Sequence, residues 1–175
     1  MTVTLEDLER LLDGEGLRYS VGRDPDTLSL GLTGFHGNYV LVVEPALEGR
    51  YVRVRTLRYA FCCSENQHML SVLRLLAELN YQMSGIKFGW DPSDGEIDCT
   101  VEATVEDAEL TQQQFHAMLC RYLPQLDLSF RRLLLVIETG EVKPDDLPGS
   151  DGLPPALRRE LDEFLDDLTS GDGDG

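Results

Sequence analysis

The sequence predicts an α+β domain in which an antiparallel sheet packs with helices in two layers. Two observations lead there. Along the chain the apolar residues shift from the three-and-four spacing of a helix to the alternation of a strand, and back again. The sharpest alternation, over residues 86–105, is broken in the middle by turn residues and so reads as a hairpin, which joins antiparallel neighbours. The order of elements is helix, strands, helix, hairpin, helix.

Thr4 opens the first helix, because its hydroxyl can accept from the free N–H groups of a first turn. Leu5, Leu8 and Leu12 follow at i, i+3 and i+7 and give it one apolar face, and Gly14 and Gly16 end it. Strands come next. Leu17, Tyr19 and Val21 alternate, as do Leu28, Leu30 and Leu32 against Ser29, Gly31 and Thr33, and an apolar run follows from Tyr39 to Val43. Asp24-Pro25-Asp26 and Phe35-His36-Gly37-Asn38 supply turns, and Pro45 to Gly49 closes a hairpin into a long strand, Arg50 to Phe61.

Ser64 with Gln67 has the spacing of a capping box, which predicts a helix from there to about Met83. Met69, Val72, Leu73, Leu76 and Leu79 form one face, and Leu70 and Leu75 add to a second. A helix apolar on more than one side is buried on more than one side, so this one is expected to pack on its own sheet and on another subunit. In the hairpin, Ile86, Phe88 and Trp90 lead to a turn at Asp91–Gly95. Then Ile97, Cys99, Val101, Ala103 and Val105 alternate with Glu96, Asp98, Thr100, Glu102 and Thr104, which leaves one dry face. Thr111 with Gln114 repeats the capping-box spacing before Phe115, Met118, Leu119 and Tyr122. Pro124 is expected to kink or break this last helix, with Asp127 capping the stretch to Ile137.

The 175 residues carry 15 basic and 32 acidic side chains, a net charge of -17. Proteins that neutralise phosphates carry a surplus of Lys and Arg, so nucleic acid and anionic membrane are set aside as partners. Residues 141–175 hold eleven acids and three bases, about half of the net charge in a fifth of the length. Residues 1–140 therefore read as one domain, large enough to bury roughly two thirds of its unfolded surface. Residues 141–175 read as an acidic flexible linker followed by an amphipathic helix at about 154–168, with Leu157, Leu161, Phe164, Leu165 and Leu168 on one side. That helix either completes the core or docks in a groove, on a second subunit or on a partner. The Cys residues show no paired spacing, no signal segment precedes them and no apolar run approaches the roughly 18 residues of a membrane span, so a reducing cytoplasm is the expected location.

No catalytic signature is visible. Cys62, Cys63 and His68 are the nearest group with metal-ligand chemistry, but adjacent residues of a strand point to opposite faces and no CxxC or HxxxH spacing is present, so no metal, cofactor or catalytic residue is assigned. Asp91, Ser93, Gly95 and Asp98 faintly resemble a calcium loop, yet a tight hairpin turn accounts for them better. Arg53 and Arg55, flanked by Arg50 and Arg58, make a basic stripe in an acidic protein. It reads as a solvated face that discourages edge pairing, or as a landing site for an acidic partner segment.

The opening TLEDLERLLDGEGLRYSV at 4–21, LAELN at 76–80, IKFGWDPSDGEI at 86–97 and VEDAELTQQQF at 105–115 together resemble the YbjN-like family of bacterial sensory-transduction regulators, over roughly residues 3–138. The resemblance implies the fold of type III secretion chaperones, a small domain that forms homodimers and binds protein segments without chemistry. By that analogy Leu70 and Leu75 are candidate dimer contacts, and Leu5, Leu8 and Leu12, with Arg53 and Arg55, are candidate partner-binding residues. The expected function is a non-catalytic, chaperone-like or regulatory adaptor that binds a segment of a partner protein. The alternative is a small ligand sensor or enzyme whose site gathers His68 or His116 with a Cys or a carboxylate in space.

Overall fold

A computed structural model describes residues 2–22, 24, 26–105 and 109–142 of the chain. They form α1 (Leu5–Gly14), β1 (Ser20–Val21), β2 (Leu28–Thr33), β3 (Asn38–Ala46), β4 (Tyr51–Phe61), α2 (Met69–Gln82), β5 (Ile86–Trp90), β6 (Glu96–Thr104) and α3 (Gln112–Thr139). The linker from residue 143 and the helix expected at about 154–168 lie outside the described residues.

The sheet has six strands in the order β1-β2-β3-β4-β6-β5, and each neighbouring pair is antiparallel. β1 to β4 form a meander. β4 and β5 run in the same direction with β6 between them, so the chain must cross the sheet to pass from one to the other, and α2 makes that crossing.

Register turns the alternation into a core. Leu28, Val43, Val54, Val101 and Ile86 lie opposite one another in a single row across five strands, and Leu30, Leu41, Thr56, Cys99 and Phe88 form the next row on the same face. All ten are buried. Leu8, Leu11 and Leu12 of α1, Val72, Leu75, Leu76 and Leu79 of α2, and Phe115, Met118, Leu119, Tyr122, Leu126, Leu133 and Val136 of α3 close over these rows as one cluster. Thr56 is the hydroxyl in the second row, and it is satisfied by the Tyr122 hydroxyl at 2.7 Å, which in turn donates to the Cys99 carbonyl at 2.6 Å.

Four expectations about these elements need correction. α2 begins at Met69 and not at Ser64, because Asn66 takes the backbone first: its carboxamide accepts from His68 N at 2.7 Å and donates to the Ile137 carbonyl at 3.2 Å, tying the segment to α3. Ser64 and Gln67 form no capping box, and α2 has no side-chain cap. Pro45 belongs to β3, paired with Val52, and the hairpin turn falls one residue later, at Leu47–Arg50.

Pro124 does not end the last helix. A proline inside a helix costs about 3 kcal/mol through its lost N–H and its clash with the preceding turn. Here the residues on either side are held by the sheet: Tyr122 by its bonds to Thr56 and Cys99, and Leu126 by the Tyr59 hydroxyl, which donates to its carbonyl at 2.7 Å. α3 therefore runs unbroken to Gly140, whose left-handed φ of 75° ends it. Asp127 is not a cap. Its buried carboxylate accepts from Phe35 N, His36 N and the Tyr39 hydroxyl, at 3.1, 3.0 and 2.6 Å, and clamps the β2–β3 turn onto α3. Burial, with Asp127 beside it, pushes the Tyr39 phenol above its ordinary value. Gly34 is required in that turn, since a Cβ there would run into the Asp127 carboxylate.

Candidate partner-binding surfaces

Three regions bear on function: the outer face of α2, the sheet face away from the helices, and a small polar cluster between α1 and α3.

α2 buries Val72, Leu75, Leu76 and Leu79 on one side. On the opposite side Leu70, Leu73, Ala77 and Tyr81 follow at i, i+3, i+7 and i+11 and form a stripe along the helix. Leu70 is 63% exposed, Leu73 40% and Tyr81 91%, with the exposed Arg74 alongside. Scattered exposed leucines are ordinary, but apolar residues aligned over three turns of one helix form a continuous patch. Leu70 is therefore exposed on the outer side of the helix. Leu75 is not, because it is fully buried in its own core, where it packs toward the sheet. Leu73, expected on the face with Val72, Leu76 and Leu79, is instead exposed beside Leu70, and Tyr81 was not singled out, although the spacing from Leu70 to Tyr81 was there to be followed once Leu75 was placed inside.

Among the other candidates, Leu8 and Leu12 are fully buried by the domain itself and offer no surface, while Leu5 is half-buried at its margin. A single apolar face laid on a sheet is used up by the sheet. Arg53 and Arg55 lie on the outer sheet face as expected, but they do not form a free basic strip. Arg53 bonds Glu102 at 2.7 Å and Glu44 at 3.4 Å, and Arg55 Nε lies 3.8 Å from the same Glu44. Lys87 approaches Glu102 at 3.8 Å. The register explains the network: Glu44, Arg53 and Glu102 are directly opposite one another on three adjacent strands, and such cross-strand pairs favour opposite charges. The Glu102 hydrogen bond, followed by the two carboxylates' charge, holds the Arg53 guanidinium above its ordinary value. Beside the network Val40 is exposed, paired with Gly31 on one side and with the half-buried Leu57 on the other.

The third region joins two helices. Glu15 caps the C-terminus of α1, and its carboxylate lies 2.7 Å from His116 Nδ1 on α3; His116 Nε2 lies 3.3 Å from Cys120 Sγ one turn on. Gln112 bonds both Glu15 and the Leu11 carbonyl. Burial, and after it the Glu15 charge, raises the Cys120 thiol above its ordinary value, so it rests protonated. His68 sits apart from this cluster, at the start of α2. The sequence named His116 as a group to watch, but nothing in it placed Glu15 against a residue 101 positions away.

Two hollows lie on the surface of the described residues. One, beside α1 and lined by Val3, Leu11, Val105 and Leu110, has a volume of about 70 Å³, against the roughly 300–1,000 Å³ typical of small-molecule pockets. The other is an open groove of about 480 Å³ at the bulge in β4, lined by Arg55, Leu57, Trp90, Asp91, Asp94 and Asp98 among others. Asp91 is engaged there as a turn residue, accepting from Ser93 N at 2.8 Å. Among the described residues no cluster of His, Cys, Asp and Glu is arranged to hold a metal ion, and no helix is long and apolar enough to cross a membrane.

An antiparallel six-stranded sheet covered by three helices, with polar strand residues on its other face, defines a class of small α+β domains, and solved structures share it. The chain is similar to the "Crystal Structure of the ExsC-ExsE Complex", at 17% identity and a TM-score of 0.51, covering 76% of this chain and 97% of that one. It is also similar to the "Structure of the heterodimeric complex ExoU-SpcU from the type III secretion system (T3SS) of Pseudomonas aeruginosa", at 22% identity and a TM-score of 0.49, covering 75% and 98%. No curated protein matches the chain. The family model YbjN, described as "Putative bacterial sensory transduction regulator", matches residues 4–135, and the chain belongs to that family. Its fold is the type III secretion chaperone-like α+β fold that the resemblance implied.

Proposed function

We propose that this protein is a non-catalytic adaptor that self-associates through the outer face of α2 and binds a segment of a partner protein, as a chaperone-like or regulatory module. The observation that carries the reading is the apolar stripe of Leu70, Leu73, Ala77 and Tyr81, aligned on the side of α2 opposite its core face. Water-exposed apolar surface of this kind is stabilised by a partner surface. The ExsC-ExsE structure, whose fold this chain shares, is itself a complex of two proteins. The apolar hollow beside α1 is too small for a ligand of ordinary size, which favours a binding surface over a pocket there. For the partner segment the reading assigns the sheet's outer face, where Val40 and Leu57 lie beside the Arg53–Glu102–Glu44 network. The cytoplasm is the compartment that fits four free thiols.

Light scattering on the full chain across a range of concentrations tests the first half. The expected mass is that of a dimer, and Leu70→Asp with Leu73→Asp should return it to a monomer with the same circular dichroism and the melting transition that the wild type shows below its association range. A monomer at every concentration, or a dimer indifferent to both substitutions, removes α2 as the interface.

A further inference from the structure

We propose that Cys120 is a covalent modification site, a thiol that exchanges with low-molecular-weight disulfides, with His116 as its base and Glu15 as the residue that positions His116. The three side chains form an unbroken line from the C-terminal cap of α1 to the third turn of α3, at 2.7 Å from Glu15 Oε2 to His116 Nδ1 and 3.3 Å from His116 Nε2 to Cys120 Sγ. Nucleophile, base and orienting carboxylate in that sequence of contacts are the parts an activated thiol needs.

The protonation pattern follows from the partners. An ionised carboxylate only accepts, so in the neutral ring the proton sits on Nδ1 and the Nε2 lone pair faces the thiol. Glu15 is itself held from a second direction by Gln112, which also bonds the Leu11 carbonyl at 3.0 Å, so the imidazole's orientation is set by two helices at once. A thiol that rests protonated exchanges slowly unless a base stands beside it, and here one does. In the exchange the S–H proton passes to His116 Nε2 as Cys120 Sγ attacks one sulfur of the disulfide. The disulfide's S–S bond breaks, a new S–S bond forms to Cys120, and the departing thiolate takes the proton back from the imidazolium. One thiol and one disulfide enter, and one thiol and one mixed disulfide leave, so no further oxidant is required. The other cysteines provide the contrast: Cys62 and Cys99 are buried, while Cys63 is exposed with no imidazole bonded to it. Cys120 is part-exposed, as is His116.

The test is incubation of the full chain with oxidised glutathione near neutral pH, followed by mass spectrometry of the digested protein, reading Cys120 and Cys63 in the same sample. The mixed disulfide at Cys120 should form about a hundredfold faster in the wild type than in His116→Gln, the low end of what a positioned base supplies, while the Cys63 rate stays the same. Glu15→Gln should slow Cys120 by less, and Glu15→Asp, which keeps the carboxylate, should recover part of the rate. Equal Cys120 rates in the wild type and His116→Gln overturn the proposal, as does a wild type modified at Cys63 and not at Cys120. Should His116→Gln open the fold, Cys62 and Cys99 will react as well. The Glu15 pair then decides, and a Cys120 rate unchanged in both variants overturns the proposal.

Discussion

α1 and α2 both carry leucines at helical spacing, and the sheet treats them differently. In α1 the apolar positions Leu8, Leu11 and Leu12 are all buried, and the positions facing outward are Glu6, Arg10 and Asp13. In α2 the sheet and α3 cover Val72, Leu75, Leu76 and Leu79, and a second set of apolar residues remains outside. A helix lying on a sheet can bury only one side there, roughly 100° or a little more of its circumference. α1 has apolar residues for one side and α2 has them for two. A surplus apolar face, more than hydrophobicity as such, distinguishes an interaction helix from a structural one.

The largest effect that would break this comparison lies in the core. Leu12→Ala in α1 should lower stability by about 2–5 kcal/mol, the usual loss for a fully buried leucine. Leu73→Ala in α2 should leave a protein held below its association range within about 0.5 kcal/mol of wild type. Chemical denaturation monitored by circular dichroism gives both numbers, and similar losses would mean that the outer side of α2 is not free. An intermediate effect belongs to α2's inner margin. Asn80 accepts from Phe88 N at 2.7 Å and donates to Phe88 O at 2.9 Å, pinning the edge strand β5 to the helix. Asn80→Ala should cost about 1–2 kcal/mol and speed hydrogen exchange at the Phe88 amide, with little change at the amides of α1.

The smallest effect concerns the helix starts. Asp7 accepts from the Thr4 backbone N–H and hydroxyl at 2.9 and 2.8 Å, and the backbone bond foremost, with the Thr4 hydroxyl and Arg10 adding, holds its carboxyl below the ordinary carboxylate range. A depressed carboxyl contributes stability above its unfolded value, about 3.9, and loses it as the pH falls through the lower folded value. The first turn of α1 should therefore fray on acidification, seen as faster amide exchange at Asp7 and Leu8, and Asp7→Asn should remove that dependence. α2 has no side-chain cap. Its first turn should show no matching acid step, and one of equal size there would mean that the capping box is not the cause.

Much of the fold was legible in the sequence because period and capping are local. The alternation over Ile97–Val105, the Thr4 cap and the box Thr111–Gln114 depend on residues within three or four positions, and β6 and the starts of α1 and α3 lie where those patterns place them. The failures in α2's start and in α3 involve a distant partner. Asn66 overrode the Ser64 start of α2 by reaching Ile137, Pro124 was tolerated because Thr56, Tyr59 and Cys99 hold its neighbours, and Asp127 found its donors in a turn some 90 residues earlier. The surface candidates divide along the same line. Leu70 could be separated from Leu75, and the Arg53–Arg55 stripe could be seen as neutralised, only after the sheet had set which side faces inward and which strands lie adjacent.

By itself the sequence determined the α+β class, most of the element order, the chain's excess of acid and the presence of apolar surplus in α2, since each depends on composition or on a period of two or 3.6 residues. Tertiary structure alone decided which leucines were left over, which charges neutralise one another, and that a carboxylate on α1 meets an imidazole and a thiol on α3. These are contacts between residues tens of positions apart, and strand order, register and helix docking bring them together where no local pattern can.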